Sequence, residues 1–345
     1  MGTLILNPNP VFDRTIGLVE LIPGAVMRTL DVELTAGGKG INVARALRTL
    51  NTPASLVIPV GTDDRQRYCD LLTAEGATFT AVPVPGPVRT ASIYLEQRVE
   101  RVTVVNDAGH PMDQAAWATV LDAVAELLQP DDLLLCMGSF PPEFPAEGLV
   151  ALIETVHRAQ ARILIDTVPN LLGAALAHHP DLVTPNLDEA LAALDARDAH
   201  LIDAHDRTDD EVREQAEQAA VALCARGARR AFVTAGATGV CFADGEQVLW
   251  FDSFPVTPVS TVGAGDSFVA GIASALHTQA LQDQAKHGAA WDNCDWATAT
   301  LTGIATAATS CEQVRAGGID PQRVRTILAE LLARPVTITS AGARS

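Results

Sequence analysis

The fold is indicated most clearly by residues 133–165, LLLCMGSFPPEFPAEGLVALIETVHRAQARILI. Two short apolar runs, Leu133–Met137 and Arg162–Ile165, lie at its ends, and each has the length of a buried strand. Between them, Gly148–Ala159 carries its apolar residues on one face of a helix. A strand, a crossover helix and a second strand are typical of a parallel sheet covered by helices.

The same alternation of apolar runs and helical segments extends over most of the 345 residues. The further apolar runs are Thr3–Leu6, Ser55–Val60, Leu182–Thr184 and Ala231–Thr234. The further segments with helical periodicity are Ile41–Leu50, Ala115–Leu128, Asp210–Arg226, Ser267–Leu276 and Gln322–Leu332. The sequence therefore predicts an α/β fold with a mostly parallel central sheet between helices.

Two regions depart from this pattern and predict a small antiparallel sheet. Residues 29–34 and 91–96 alternate apolar and polar side chains, as half-buried antiparallel strands do, and Arg101–Val105 adds a further run. This sheet would take its strands from about residues 14–36 and 87–106. Such a lid could close over a bound ligand and exclude water.

The domain organisation follows from the absence of repeats and of low-complexity linkers. We expect a single domain over residues 1–335 and a flexible tail over residues 336–345. Two polar segments, 195–209 and 277–295, are predicted to be surface insertions.

Composition narrows the possible partners. The formal net charge of -18 argues against binding to nucleic acid or to an anionic membrane, so an anionic substrate would need a local cluster of positive groups. The six cysteines include no C-x-x-C pair, and no apolar segment approaches the ~18 residues of a membrane helix. We expect a reducing, cytoplasmic setting.

The stretch STVGAGDSF, residues 260–268, is the first candidate for chemistry. Gly263, Ala264 and Gly265 lead directly into an apolar helix, where free amides and the helix dipole favour an anion. Asp266 beside them could accept a proton from an attacking hydroxyl while the amides stabilise a transferring phosphoryl group. The alternative is that Asp266 caps the helix and the glycines only form a turn.

A second glycine turn opens the helix in AGGKGINVARAL, residues 36–47. Its Gly37 and Gly38 allow close approach to the backbone, and Lys39 and Asn42 suit a ligand rich in hydroxyls or its anionic group. The spacing is that of neither a Walker A loop nor a dinucleotide fingerprint.

Two shorter motifs follow apolar runs. In TPNLDE, residues 184–189, Asn186 and Glu189 could orient Mg²⁺-bound water and phosphate oxygens, or could form an ordinary capping box. In TAGATG, residues 234–239, backbone and hydroxyl donors could bind phosphates, or the segment could be a tight turn.

Taken in this order and spacing, the four motifs resemble those of the PfkB (ribokinase-like) carbohydrate kinase family, from about Thr3 to Leu332. The resemblance is greatest to the branch of 1-phosphofructokinases and tagatose-6-phosphate kinases, through NPVFD at residues 9–13, MGSFP at 137–141, Arg28 and Arg89. It implies a three-layer αβα sandwich with a β lid, and ATP and Mg²⁺ as cofactors.

The resemblance also implies roles for individual residues. Those expected to contact the sugar are Asp13, Gly37, Gly38 and Asn42, and those near a substrate phosphate are Arg28, Lys39, Arg89 and Ser139. Those expected on the nucleotide side are Asn186, Thr234, Gly236 and Gly239, with Glu189 reaching Mg²⁺ through water. Asp266 would be the base, and the amides of Gly263, Ala264, Gly265 and Asp266 the anion hole. From spacing alone, Arg28 and Arg89 could instead be solvated strand charges.

The predicted reaction is ATP-dependent phosphorylation of a sugar phosphate, with fructose 1-phosphate converted to fructose 1,6-bisphosphate as the first choice. Tagatose 6-phosphate, fructose 6-phosphate, or a free sugar or nucleoside are alternative acceptors. A protein that only senses a sugar phosphate is the alternative from another class, although it would need no base at residue 266. The resemblance further implies a homodimer formed through the lid.

Overall fold

The computed structural model describes residues 1–99, 101–195, 207–284, 291, 294–334 and 337–339. Its main element is a ten-stranded sheet. In spatial order the strands are β14 (Thr337–Thr339), β13 (Val248–Asp252), β12 (Gly239–Ala243), β11 (Ala231–Thr234), β10 (Leu182–Val183), β9 (Arg162–Asp166), β8 (Leu133–Met137), β1 (Thr3–Leu6), β4 (Ser55–Gly61) and β5 (Phe79–Val84).

The direction of the strands confirms the predicted mostly parallel sheet. Every neighbouring pair from β5 to β11 is parallel. The pairs formed by β12, β13 and β14 at the other end are antiparallel. The carboxyl ends of the parallel strands therefore meet along one edge of the sheet.

Helices cover both faces of this sheet, because each central strand buries side chains on both sides. In β8, Leu133, Leu135 and Met137 pack into one core cluster, and Leu134 and Cys136 into the other. The helices on the first face are α1 (Lys39–Thr49), α2 (Arg65–Ala74), α8 (Ala264–Gln284), α9 (Trp296–Cys311) and α10 (Pro321–Leu332). Those on the second face are α3 (Gln114–Leu127), α4 (Ala146–Arg158), α5 (Pro169–Leu176), α6 (Leu187–Asp195) and α7 (Asp209–Ala225). This is the predicted three-layer sandwich.

A separate four-stranded sheet forms the lid. Its strands, in spatial order, are β3 (Asp31–Gly37), β2 (Val11–Leu18), β6 (Arg89–Glu96) and β7 (Arg101–Asn106). The two outer pairs are antiparallel, as predicted, whereas the central pair β2–β6 is parallel. The reason is that β2 and β6 follow β1 and β5, which run in the same direction through the main sheet, so both leave it the same way.

Three segments differ from the expectations of the sequence or lie outside the described residues. Helix α8 continues to Gln284, into the predicted insertion 277–295. Residues 285–290, 292 and 293 of this insertion lie outside the described residues. Residues 196–206 of the other predicted insertion, 195–209, also lie outside them. Thr337–Thr339 of the predicted tail pair with β13 on the sheet edge, and the rest of that tail is outside the described residues. In the part of the chain that the structure describes, no helix is long and apolar enough to cross a membrane.

Candidate active site

Most predicted site residues lie at the edge where the parallel strands end. Ser139 follows β8, Asn186 follows β10, and Thr234 is the last residue of β11. Backbone contacts join these strand ends, since the Gly138 amide donates to the Asp166 carbonyl at 2.7 Å and Asn186 forms a bridge with Thr234. The open edge of a parallel sheet is a usual position for a ligand site.

Asp266 and Asn42 meet across the two glycine turns. Asp266 lies in the first turn of α8, and Asn42 in the first turn of α1. The Asn42 Nδ2 atom donates a hydrogen bond to Asp266 Oδ2 at 2.8 Å, and both side chains are buried. In the described residues no amide of its own helix donates to the Asp266 carboxylate, so this side chain faces the neighbouring helix instead of capping α8.

The surroundings of Asp266 raise its pKa into the neutral range. Burial raises the pKa of Asp266 to about 7, with further upward contributions from the nearby carboxylates Asp166 and Glu189. The positive charge of Lys39 and the Asn42 hydrogen bond act in the opposite direction and lower this pKa. A carboxyl group with a pKa near the working pH suits general acid–base chemistry.

Lys39 lies among carboxylates. Its Nζ atom is 2.7 Å from Asp166 Oδ1 and 3.8 Å from Glu189 Oε1. Burial opposes the charge on Lys39, but Asp166, Glu189 and Asp266 outweigh it and raise the pKa of the amine above its ordinary value. The resemblance grouped Lys39 with the arginines, whereas the structure places its amine with these acidic groups, which attract it.

The predicted capping box at Asn186 and Glu189 is present. The Asn186 amide donates to Glu189 Oε2, and the Glu189 amide donates to Asn186 Oδ1, both at 2.9 Å. The other carboxylate oxygen of Glu189 faces Lys39. Burial raises the pKa of Glu189, although Lys39 lowers it. Capping and a role in the site are therefore compatible, because the box orients the carboxylate.

Asp13 and the glycine turn before α1 lie close together where the lid joins the main sheet. A Cβ atom at Gly37 would lie 2.1 Å from Asp13 Oδ2, and one at Gly38 would lie 2.6 Å from Asn7 Oδ1. Gly38 also has a φ of 120°, which favours glycine. Burial raises the pKa of Asp13, whereas Arg45 and Arg89 lower it. A side chain at either position would have to displace a polar side chain of the site, and at Gly38 the backbone conformation also favours glycine.

Arg89 contacts Asn9, in the segment between β1 and β2. Its Nε and Nη2 atoms donate to the Asn9 carbonyl at 3.3 and 3.1 Å, and Nη1 donates to the Asp107 carbonyl at 3.3 Å. Asn9 Nδ2 in turn donates to Ser139 Oγ at 3.4 Å. Among the residues described, no carboxylate forms an ion pair with Arg89; its hydrogen bonds go to carbonyl groups, and Asp13 and Asp107 attract its charge at longer range.

Arg28 is not brought into this arrangement. It is exposed, in the segment between β2 and β3, and within the described ranges it makes no hydrogen bond or ion pair. The resemblance implies a position for Arg28 near a substrate phosphate, together with Arg89, and that role stays a prediction.

The predicted nucleotide motif is a turn between β11 and β12. The Ala235 amide donates to the Gly239 carbonyl at 2.8 Å. Gly236 has a φ of 58° and open space where a Cβ would stand, whereas a Cβ at Gly239 would lie 2.4 Å from the Phe251 carbonyl oxygen. Thr234 at its start is half-buried beside the Asn186 turn.

Sequence reasoning missed three polar residues that the structure brings to the site. Asp166 is the last residue of β9, and an acidic residue directly after a buried apolar run was an available signal. Asn9 is the first residue of the NPVFD stretch, but the resemblance assigns it no role. Arg45 lies one turn after Asn42, but only the folded structure shows what its side chain contacts.

A three-layer sandwich with a β lid, a buried carboxylate at a glycine-rich helix start and acidic groups at the strand ends together define a ribokinase-like kinase. Residues 7–323 match the sequence model of the family described as "pfkB family carbohydrate kinase". The chain belongs to this family and is an ATP-dependent sugar kinase.

Several known proteins are similar to the chain. A 1-phosphofructokinase of Xanthomonas campestris pv. campestris is 33% identical over 300 residues, which cover 85% of this chain and 91% of that protein. The ATP-dependent 6-phosphofructokinase isozyme 2 of Escherichia coli is 28% identical over 84% of this chain and 89% of its own length. The crystal structure of the E. coli phosphofructokinase-2 in complex with fructose-6-phosphate has a TM-score of 0.80 at 23% identity, covering 96% of this chain and 99% of that one.

Proposed function

We propose that the protein transfers the γ-phosphoryl group of ATP to a hydroxyl of fructose 1-phosphate, giving fructose 1,6-bisphosphate and ADP. The choice of acceptor is supported by the 1-phosphofructokinase that is 33% identical over 85% of the chain. The reaction class is that of its family.

The observation that carries the proposal is the buried hydrogen bond between Asn42 and Asp266 beside a glycine-rich helix start. The acceptor hydroxyl would give its proton to an Asp266 oxygen while its own oxygen forms a bond to the γ-phosphorus. The bond from that phosphorus to the β-phosphate oxygen breaks, and the electron pair leaves with ADP. A pKa of about 7 for Asp266 allows the carboxylate to accept the proton near neutral pH.

The amides at the start of α8 would stabilise the charge of the transferring group. The first amides of a helix have no partner within the helix, and the helix dipole favours a negative group there. A Cβ at Gly265 would meet nothing within 4 Å, so space is open beside this turn. Gly263 has a φ of 81°, which a residue with a side chain rarely adopts. The proposed anion hole is therefore formed by the amides of Gly263, Gly265 and Asp266, and by that of Ala264, which would exchange its 3.3 Å hydrogen bond to the Thr261 carbonyl for the phosphoryl group.

The acceptor would lie between the lid and the glycine turn before α1. Asp13 and Asn42, with the backbone of Gly37 and Gly38, would bind its hydroxyls. Arg89 forms no ion pair in the described structure, where its hydrogen bonds go to carbonyl groups, and it is joined through Asn9 to Ser139. These donors suit a phosphate on the sugar. Arg28 is exposed in the segment between β2 and β3, and its role near this phosphate stays a prediction.

The nucleotide and Mg²⁺ would occupy the side of α6 and β11. Asp166 and Glu189 offer the oxygen ligands that Mg²⁺ prefers, and both lie within 4 Å of Lys39 Nζ. The described residues contain no group of three or more His, Cys, Asp or Glu that could hold a metal ion. Asp166 and Glu189 would therefore supply only part of the Mg²⁺ coordination, and water and ATP phosphates would supply the rest. Mg²⁺ would neutralise phosphate charge. Asn186, Thr234, Gly236 and Gly239 would contact the nucleotide.

A fructose 6-phosphate acceptor is the second candidate. It is supported by the E. coli 6-phosphofructokinase isozyme that is 28% identical over 84% of the chain. The buried Asp266 with its Asn42 partner disfavours a protein that only senses a sugar phosphate, because binding alone would not require a buried base.

The outer strands of the lid would also support a homodimer. Apolar side chains are exposed on β3 and β7, namely Val32, Val102, Val104 and Val105. Apolar groups gathered on one small sheet are typical of an interaction surface.

The experiment is an ADP-release assay with Mg²⁺ and ATP over fructose 1-phosphate, fructose 6-phosphate, tagatose 6-phosphate and free fructose. We expect the highest kcat/KM for fructose 1-phosphate. A higher kcat/KM for another sugar phosphate would transfer the assignment to that acceptor. No ADP release with any of them would contradict the proposed reaction.

A further inference from the structure

A chain of buried polar contacts runs from Asp266 to the surface behind α1. Asp266 accepts from Asn42, Asn42 accepts from Arg45, and Arg45 donates to Glu75, which follows α2. Arg45 is only 7% exposed although it always carries a charge. A buried guanidinium is costly unless all its donors are used, so its position needs a physical reason.

The contacts of Arg45 use its planar geometry. Its Nε atom is 2.7 Å from Glu75 Oε2, and its Nη2 atom is 2.9 Å from Glu75 Oε1. Nη2 also donates to the Ala36 carbonyl, directly before the glycine turn. Nη1 donates to Asn42 Oδ1 at 2.9 Å. A lysine could not reproduce this set, because its ammonium is a single point charge.

Arg45 determines which way the Asn42 amide faces. A guanidinium only donates hydrogen bonds, so the atom of Asn42 next to it must be the oxygen. The nitrogen of Asn42 is then directed at Asp266, which as a carboxylate only accepts. If the amide turned over, its oxygen would lie against the carboxylate and its nitrogen against the guanidinium, and both contacts would be repulsive.

Other charged groups interact with both ends of this series of polar contacts. Glu75 is also bound by Arg315, whose Nη2 atom is 2.6 Å from Glu75 Oε1. Asp13 also interacts electrostatically with Arg45 and Arg315. At the other end, Asp266 interacts with Lys39, Asp166 and Glu189. None of these three groups contacts the Asn42 amide within the described residues, so its orientation depends on Arg45 on one side and on Asp266 itself on the other.

From these contacts we infer that Arg45, anchored by Glu75, is a positioning residue that acts through Asn42 to hold Asp266 as the proton acceptor. This inference rests on the proposed function. Arg45 touches no reacting atom, and its effect on turnover passes through the orientation of one amide.

The test is a double-mutant cycle on kcat with Arg45→Met, Asn42→Ala and the double variant, using ATP and the best acceptor from the ADP-release assay. Each single variant should lower kcat about 10-fold or more, the scale of one charge-assisted hydrogen bond. The KM for ATP should stay within about 2-fold. Because both changes remove one pathway, the double variant should be no slower than the slower single variant.

Additive losses, in which the double variant loses the product of the two single factors, would overturn the inference. So would a kcat within 2-fold of wild type for Arg45→Met. Asp266→Asn measured beside them separates the two claims. If it retains turnover, the proposed base is wrong; if it is inactive while the cycle is additive, only the role of Arg45 is wrong.

Stability requires its own controls, because Arg45→Met leaves Glu75 with Arg315 as its remaining partner in the described structure. The pair Arg45→Met with Glu75→Met also removes the acid that has lost its buried partner, and it should fold yet keep the same loss of kcat. Arg162→Met is the matched control: Arg162 lies at the amino end of β9, 3.9 Å from Asp181, away from the site edge. Its kcat should stay within 2-fold of wild type, and an equal loss there would also contradict the inference.

Discussion

Replacing Asp266 by asparagine should stabilise the protein at neutral and alkaline pH while it removes the proposed base. The side chain is 5% exposed, and burial raises its pKa to about 7. The folded protein therefore binds more protons at this position than the unfolded chain does, over the window from about pH 4 to pH 7. Stability falls as the pH rises through this window, and the loss is complete above it.

The size of the effect follows from the pKa. Each pH unit between the unfolded and folded pKa values costs about 1.4 kcal/mol. An ordinary carboxyl pKa near 4 and a folded value of about 7 thus correspond to about 4 kcal/mol at pH 8. Asparagine cannot ionise, so Asp266→Asn avoids this cost. Between pH 5.5 and pH 8 its advantage over wild type should grow by about 2 kcal/mol.

The assay is urea unfolding of wild type and Asp266→Asn at both pH values, without ligands. Asp122→Asn, at an exposed position of α3, is the control and should show no growth in the difference. If Asp266→Asn has the same advantage at pH 5.5 and pH 8, or is less stable than wild type at pH 8, the buried-carboxylate argument is wrong.

Three further predictions concern activity. Because Asp266 must be ionised to accept a proton and has a pKa of about 7, kcat/KM for the sugar phosphate should fall about tenfold per pH unit below that value; a flat profile from pH 5.5 to 8 would contradict this. Arg89→Glu should raise the KM for fructose 1-phosphate at least about 100-fold and leave the KM for ATP within about 3-fold, and an unchanged acceptor KM would favour a neutral sugar. Gly37→Ala should weaken acceptor binding at least about 10-fold, since its Cβ would stand 2.1 Å from Asp13 Oδ2; isothermal titration with the acceptor measures this, and unchanged affinity would refute the contact.

The main sheet could be predicted because its strands are short apolar runs buried on both faces. Thr3–Leu6, Leu133–Met137 and Ala231–Thr234 have the same bounds in the structure as in the sequence analysis. Strand β2 lies largely within the predicted lid region 14–36, but its own bounds were not predicted, because Asp13, Arg14 and Thr15 interrupt its apolar pattern. Those polar residues are tolerated because the strand crosses from the core into the lid.

Helices were missed where one-sided periodicity is absent. α9, WATATLTGIATAATSC, is rich in small residues and is buried around most of its circumference, so no apolar stripe marks it. α2 is largely polar and buries only Tyr68 and Leu72 in its core contact. For such segments, tertiary packing decides the structure, and local sequence does not.

The glycine turns of the site were visible in the sequence because each is a local motif. The contact between the two turns could not be predicted, because Asn42 and Asp266 are separated by more than half of the chain. The position of Lys39 among Asp166 and Glu189, and the exposure of Arg28, likewise depend on contacts between distant segments. A resemblance can suggest that residues share a site, but it does not specify which of them touch.

The most direct measurement is the single-turnover rate of phosphoryl transfer from ATP to fructose 1-phosphate by wild type and Asp266→Asn, at saturating Mg²⁺ and both substrates. The proposed base predicts a rate at least about 1,000-fold lower for the variant, with the binding of both substrates retained. A variant rate within about 10-fold of wild type would show that Asp266 does not accept the proton.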